Sequence, residues 1–242
     1  VRTGFDSGST LDYIYEDDAR GLGPGGRLID RQFLNAIGWR GIRQRKLHLQ
    51  ELIGKAFARL KAEGKPVRVL DIAAGHGRYI LDAVAASDVR PDSIRLQDYS
   101  PINVEKGGAL ITERGLSDIA SFHRADAFDT AGLAAIEPKP TLAVVSGLYE
   151  LFPDNDAIEA SLDGLSQALE PGSLLLYTGQ PWHPQLEMIA RALTSHRGGE
   201  AWIMRRRTQQ EMDQLVAAAG FRKIEQRIDK WGIFTVSLAE RI

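Results

Sequence analysis

The chain has 242 residues, 43% hydrophobic and 26% charged, which fits one sizeable α/β domain with an appendage and excludes a disordered or fibrous chain. A net charge of −2 gives no whole-molecule attraction for nucleic acid, and the lack of cysteine removes disulfides, thiolate nucleophiles and cysteine-ligated metals together. No apolar run approaches a membrane span and no signal-peptide pattern opens the chain, so a cytoplasmic protein without a transmembrane segment is expected.

Val1 to Gly26 is rich in Gly, Asp and Ser and reads as an irregular arm carrying Tyr13 and Tyr15. Leu28 to Ile37 reads as a short helix stopped by Gly38. Ile42 to Leu60 reads as a longer one, with Leu49, Leu52, Ile53, Ala56, Phe57 and Leu60 at helical spacing. Between them, Gly38-Trp39-Arg40-Gly41-Ile42-Arg43-Gln44-Arg45-Lys46 is the densest basic segment. Guanidinium groups beside an indole suit a bound anion or a stacked ring, although a charge run more often marks a solvated helix face.

Val67 to Ile72 predicts a short buried strand, followed by the small-residue turn Ala73-Ala74-Gly75-His76-Gly77 and a helix from Arg78 to Ser87. Ile94 to Asp98, Ile119 to His123, Leu142 to Val145 and Leu174 to Tyr177 predict four more strands, with helices after the second and fourth. Thr178 to Arg207 breaks this rhythm with a Gln180-Pro-Trp182-His183-Pro-Gln185 loop and a helix over Leu186 to Leu193. Thr208 and Glu211 form a capping box for a helix ending at Gly220. Phe221 to Ile228 and Gly232 to Leu238 then predict an antiparallel hairpin. The expected fold is therefore α/β: a Rossmann-like, mostly parallel seven-stranded sheet with an antiparallel terminal strand and helices on both faces. Residues 1–66 are expected to form an N-terminal arm and helical cap, and residues 67–242 the sheet domain.

A strand that turns through glycines into a helix brings bare backbone N–H groups close to a ligand. The third glycine of the dinucleotide fingerprint is missing, which disfavours an NAD(P) oxidoreductase, and no Walker lysine is present. Asp71-Ile-Ala-Ala-Gly75-His-Gly77 instead resembles the first motif of class I S-adenosylmethionine (SAM)-dependent methyltransferases, Asp-x-Gly-x-Gly-x-Gly, with Ala73 replacing the first glycine. The strand order carries the same resemblance over about Val67 to Ile242. Gly38 to Lys46 and Gly179 to Gln185 further resemble a family of bacterial methyltransferase-like proteins sometimes joined to an α/β-hydrolase domain. That resemblance implies a larger polypeptide and brings no established substrate.

The class resemblance implies SAM as cofactor. Ala73, Gly75 and Gly77 would pass its methionine part, and Asp71 would place its amino group or order the turn. Asp98, about 20 residues past the glycines, would accept both ribose hydroxyls, with Tyr99 on the adenine. Asp126 would accept the adenine amino group and Ala127 N–H would approach a ring nitrogen, with Ser146 and Gly147 at the fourth strand's end. Tyr149, Glu150 and His183 are the candidates for a catalytic base. Tyr15, Arg40, Arg43 and Trp182 are the candidates for acceptor binding. No metal site is expected. The acceptor is expected to be small or lipid-like. Arginines grouped at Arg40, Arg43, Arg45 and Arg205 to Arg207 raise the expectation of a negative charge on it. A SAM-binding module that regulates a partner without turnover is the competing reading.

Overall fold

The computed structural model describes residues 4–196 and 198–242; residues 1–3 of the expected arm lie outside them. Its centre is one seven-stranded sheet in the order β3-β2-β1-β4-β5-β7-β6. The strands are β1 (Arg68–Asp71), β2 (Ser93–Asp98), β3 (Ala120–Arg124), β4 (Leu142–Val145), β5 (Leu174–Gly179), β6 (Phe221–Ile228) and β7 (Thr235–Arg241). The first five run parallel, and β7 lies antiparallel to both β5 and β6, as the terminal hairpin predicted. The chain winds outward from β1 through β2 to β3, then returns to begin again at β4. In such sheets ligands bind outside the strands' carboxyl ends, at the point where the winding reverses. Here that point lies between β1 and β4.

Strand residues alternate between the sheet's two faces, so each strand feeds two cores. On one face Val69, Ile94, Val144, Leu174, Leu176 and Leu238 pack with α3 (Ile37–Ala62) and α4 (Arg78–Ala85). α5 (Pro101–Glu113) adds Leu110 and Ile111 there. On the other face Leu70, Ile72, Val145, Leu175 and Tyr177 meet α6 (Thr130–Ala134), α7 (Asn155–Ala168) and α9 (Gln209–Ala218). No helix among the described residues is long and apolar enough to cross a membrane.

The N-terminal region departs from its expectation in three ways. Residues 8–16 are helical rather than irregular: α1 (Gly8–Glu16) starts where the Ser7 side chain accepts the Thr10 N–H. α2 (Gly23–Leu34) begins earlier than Leu28, with Pro24 at the position where a missing N–H costs nothing. Gly38 does not end a helix, because α3 runs unbroken from Ile37. Its two early glycines are there for close approach. A Cβ on Gly38 would lie 2.7 Å from His183 Nε2, and one on Gly41 2.8 Å from the Phe234 ring. The basic segment is therefore the first turns of α3, not a linker. From Leu49 to Leu60 this helix is part of the sheet's own core, so a boundary at residue 66 divides elements that share one interior.

A third core joins the two ends of the chain. Ile14, Leu34, Trp39 and Ile42 pack with Ile189 of α8 (Leu186–Ala192), Trp202, Met204, Ile233 and Phe234. Trp39 and Trp202 stack at 5.9 Å with an 18° interplanar angle. This cluster walls a hollow that also reaches Gly147 and Gln180, just past β4 and β5.

Candidate active site

The turn after β1 places its glycines in the left-handed region, Gly75 at φ 59° and Gly77 at φ 75°. Gly77 also has no room for a side chain, since a Cβ would stand 2.3 Å from Leu96 Cδ1. Asp71 is fully buried beneath this turn, accepting the Tyr79 hydroxyl and the Ala73 N–H. It does not line the cleft, so of its two expected roles the structure supports ordering the turn.

Burial pushes the Asp71 carboxyl up to about 7 from its ordinary 3.8. The native state thus favours the protonated acid. The associated stability is fully present below the unfolded pKa near 4 and is lost as pH rises through 7. Calorimetric stability is expected to fall between about pH 4 and 7, and Asp71→Asn should flatten that slope. An equally steep slope in the variant would contradict this role.

A cleft of about 690 Å³ opens above the carboxyl ends of β1, β2 and β4. Ala73, Gly75, Gly77, Asp98, Tyr99, Asp126, Ala127, Ser146 and Gly147 all line it, together with Tyr15 from α1. Asp98 accepts the Gly75 N–H at 2.9 Å on one oxygen, and the Ser100 N–H and Asn103 Nδ2 at 2.9 Å on the other. A carboxylate offers about four lone-pair positions, so three are already used. Bidentate binding of both ribose hydroxyls does not fit this arrangement, whereas one hydroxyl does. Tyr99 is 69% exposed at the rim, with the Arg124 guanidinium 5.5 Å over its ring. Asp126 uses Oδ1 on the Phe128 N–H at 3.0 Å.

Helix α1 lies along the cleft and is fastened to the glycine turn. Arg78 Nη2 donates to Asp12 at 2.9 Å and to Glu16 at 3.0 Å, and His76 sits 3.3 Å from both Asp12 and Ser9 Oγ. These contacts hold the Asp12 carboxyl well below the usual carboxylate range, at about 2, against the opposing effect of burial. Asp6, just before the helix, is bound by Ser195 Oγ and His196 N at 2.6 Å. Nothing in the sequence pattern pointed to this role for His76, and Ser9 and Asp12 carried no motif.

A second hollow of about 140 Å³ adjoins the cleft and is mostly apolar. Phe33, Trp39, Ile42, Trp202, Met204 and Phe234 supply its walls, with Glu150, Gln180 and His183 as polar groups. Asp6, Leu11, Arg45, Gly147 and Leu151 line both hollows.

Residues 1–241 match the protein family described as "Putative methyltransferase". The chain belongs to that methyltransferase family. It is 59% identical over 241 residues to the uncharacterized protein YnbC of Escherichia coli (strain K12). That alignment covers 100% of this chain and 41% of YnbC, so the chain spans about two fifths of the relative's length. Among solved structures, a possible exported protein from Bordetella parapertussis superposes with a TM-score of 0.76 at 18% identity, over 97% of this chain and 79% of the other. The magnesium protoporphyrin IX methyltransferase ChlM of Synechocystis PCC 6803, solved with S-adenosylhomocysteine (SAH), gives 0.64 at 14% identity over 98% and 96%. The family agrees with the sequence reading of a methyltransferase, and the fold agrees with its Rossmann-like sheet.

Within this site the expected catalytic and acceptor residues separate sharply. Tyr149 is a packing residue: its ring is buried, its hydroxyl meets Ser161 Oγ at 2.9 Å, and burial pushes the phenol far above its usual range. His183 lines the apolar hollow but is not poised as a base. The Gln185 N–H donates to its Nδ1 at 3.1 Å, which places the neutral ring's proton on Nε2. Burial lowers its pKa, so the ring offers a donor rather than a proton acceptor. Glu150 is buried in the hollow's wall.

Trp182 is 46% exposed and lines neither hollow. Arg40 lies 5.0 Å over the Trp231 ring, and Arg43 donates to the Leu34 carbonyl at 2.9 Å. Arg205 bonds Asn155 and Glu211, and Arg207 donates to carbonyls of residues 149 and 152–154. These arginines therefore hold the fold. Arg45, on the inward face of α3, reaches both hollows. The glycine pair at 38 and 41, three residues apart on one helix face, was the signal that α3's first turns are packed tightly and not solvated.

Proposed function

We propose that the protein transfers a methyl group from SAM, held in the larger cleft, to a small and largely apolar acceptor seated in the adjoining hollow. The observation that carries this reading is the shared wall of Arg45, Gly147 and Leu151 between a glycine-turn cleft and an apolar pocket. A methyl donor and its acceptor must meet in line, and two adjoining hollows provide that alignment. SAM supplies an activated sulfonium methyl, so the protein's task is to bind, orient and exclude water.

In this reading Gly75 and Gly77 let backbone approach the methionine part, and Asp98 Oδ2 accepts one ribose hydroxyl. Asp126 and Ala127 meet the adenine edge, with Tyr99 covering its ring from the rim. Ser146 Oγ is buried and unpartnered among the described residues, which suits a polar donor atom at the end of β4. The Tyr15 ring and helix α1 close the cleft from above. The apolar walls favour an uncharged acceptor body, or the head of a lipid-like one, over a free sugar or phosphate. A further unit within a longer polypeptide, as the length of YnbC suggests, belongs to the same reading.

Calorimetry with SAH tests the donor site. Asp98→Ala is expected to weaken binding by about 1.5–3 kcal/mol, the scale of hydrogen bonds to a charged group. Unchanged affinity in a variant whose melting shows it folded would remove the donor assignment from this cleft.

A further inference from the structure

The apolar hollow contains a charged pair that the donor site does not require. The Arg45 and Glu150 side chains are only 3% and 8% exposed, and Arg45 Nη1 stands 3.5 Å from Glu150 Oε1. The guanidinium also lies 5.0 Å over the Phe234 ring. Its Nε has no hydrogen-bond partner among the described residues, and neither has Trp202 Nε1 in the same hollow. Buried N–H groups in native proteins are nearly always paired, so two orphaned donors beside one pocket single out this wall as the place where a polar ligand group would be held.

The charge of the hollow decides what kind of oxygen. Asp6 is already engaged by Ser195 and His196, and the buried His183 ring is held toward its neutral form. That leaves Arg45 and Glu150, one positive and one negative, lining the hollow. A carboxylate ligand would bring a second negative charge beside Glu150 with no cation to balance it, which a buried site penalises. A hydroxyl group brings none, and it both accepts and donates.

We propose that Arg45 and Glu150 form a hydroxyl-reading pair, which makes the acceptor a neutral, largely apolar hydroxyl compound methylated on oxygen. The inference rests on the methyltransferase reading above. The Arg45 guanidinium donates to the acceptor oxygen, and the acceptor O–H donates to the Glu150 carboxylate. In the reaction that proton passes to Glu150 while the oxygen's lone pair forms the new bond to the methyl carbon. The sulfur–methyl bond breaks with its electron pair returning to sulfur, leaving the neutral thioether SAH. Burial pushes the Glu150 carboxyl up, with Arg45 the main opposing influence, so it is a better proton acceptor than an exposed glutamate.

Equilibrium binding to the SAH-loaded protein tests the pair with three probes of one shape: 2-naphthol, 2-naphthoate and 2-methylnaphthalene. The naphthol is expected to bind at least tenfold tighter than either of the others. Glu150→Gln and Arg45→Met should each shrink that preference at least fivefold, and Arg45→Lys should restore part of it. SAH binding to each variant is measured first and reports on fold and donor site. With SAM in place of SAH, 2-methoxynaphthalene should form, more slowly in Glu150→Gln. Tighter binding of naphthoate that depends on Arg45 would overturn the proposal in favour of a carboxylate acceptor. Equal binding of all three, no binding of any, or variants indistinguishable from the parent would overturn it too. In those cases retained SAH affinity leaves the methyltransferase reading standing.

Discussion

Gly77→Val is expected to weaken SAH binding by more than a hundredfold. Two independent costs act at this position. The native φ of 75° is a conformation in which a β-branched residue is a strained outlier, at about 1–3 kcal/mol. The new Cβ would also stand 2.3 Å from Leu96, a fully buried residue of the central sheet that has nowhere to retreat. The turn must therefore move, and with it the N–H of Gly75 and the carboxylate of Asp98 that receives it. Calorimetry gives the affinity. Gly77→Ala, which adds only the Cβ, should fall between the parent and valine. An affinity within threefold of the parent in Gly77→Val would show that this turn does not shape the donor site.

Arg207→Met should produce the largest loss of stability among single arginine replacements. Arg207 is 5% exposed and donates to the carbonyls of Tyr149, Phe152, Pro153 and Asp154 and to the Asn155 side chain. It thereby clamps the segment that carries Glu150 and Leu151 into the apolar hollow. Methionine fills much of the volume but leaves several carbonyls without a donor, a cost of about 1–3 kcal/mol for each buried group truly stranded. A net loss of about 3 kcal/mol lowers the melting temperature of a chain this size by roughly 6–12 °C. Arg40→Met, at an exposed residue on the Trp231 ring, should change it by about 2 °C or less. Equal effects from the two would contradict the clamp.

What the sequence revealed and what it hid follow the range of the interactions involved. All seven strands were legible, because runs such as Leu174 to Tyr177 or Phe234 to Leu238 carry their period within a few residues. The lining of the larger cleft was legible for the same reason: Asp98 ends a strand, and Gly75, Asp126 and Ser146 follow one closely. α1 was not, since Gly8, Ser9 and Thr10 are weak helix formers, and what holds that helix is tertiary, through Arg78 and His76. The arginines misled in the other direction. Arg40, Arg43, Arg45, Arg205 and Arg207 look alike in a string, yet Arg43, Arg205 and Arg207 are tied to neighbouring backbone and side chains, Arg40 lies exposed on the Trp231 ring, and of the five Arg45 alone lines the hollows. Tyr149 and Trp182 looked reactive because of their neighbours in sequence, and only the fold shows one packed against α7 and the other facing outward.

The third core has a consequence for how the protein comes into being. Ile14, Leu34 and Trp39 are made long before Ile233 and Phe234. At synthesis rates of about 5–20 residues per second, the early helices wait on the order of ten to forty seconds for their partners. β7, which lies between β5 and β6, is also made after both of them. The glycine turn and the first four strands can assemble while translation continues, but the apolar hollow, walled in part by Phe234, cannot. A nascent chain can therefore shape the larger cleft well before the hollow beside it is complete.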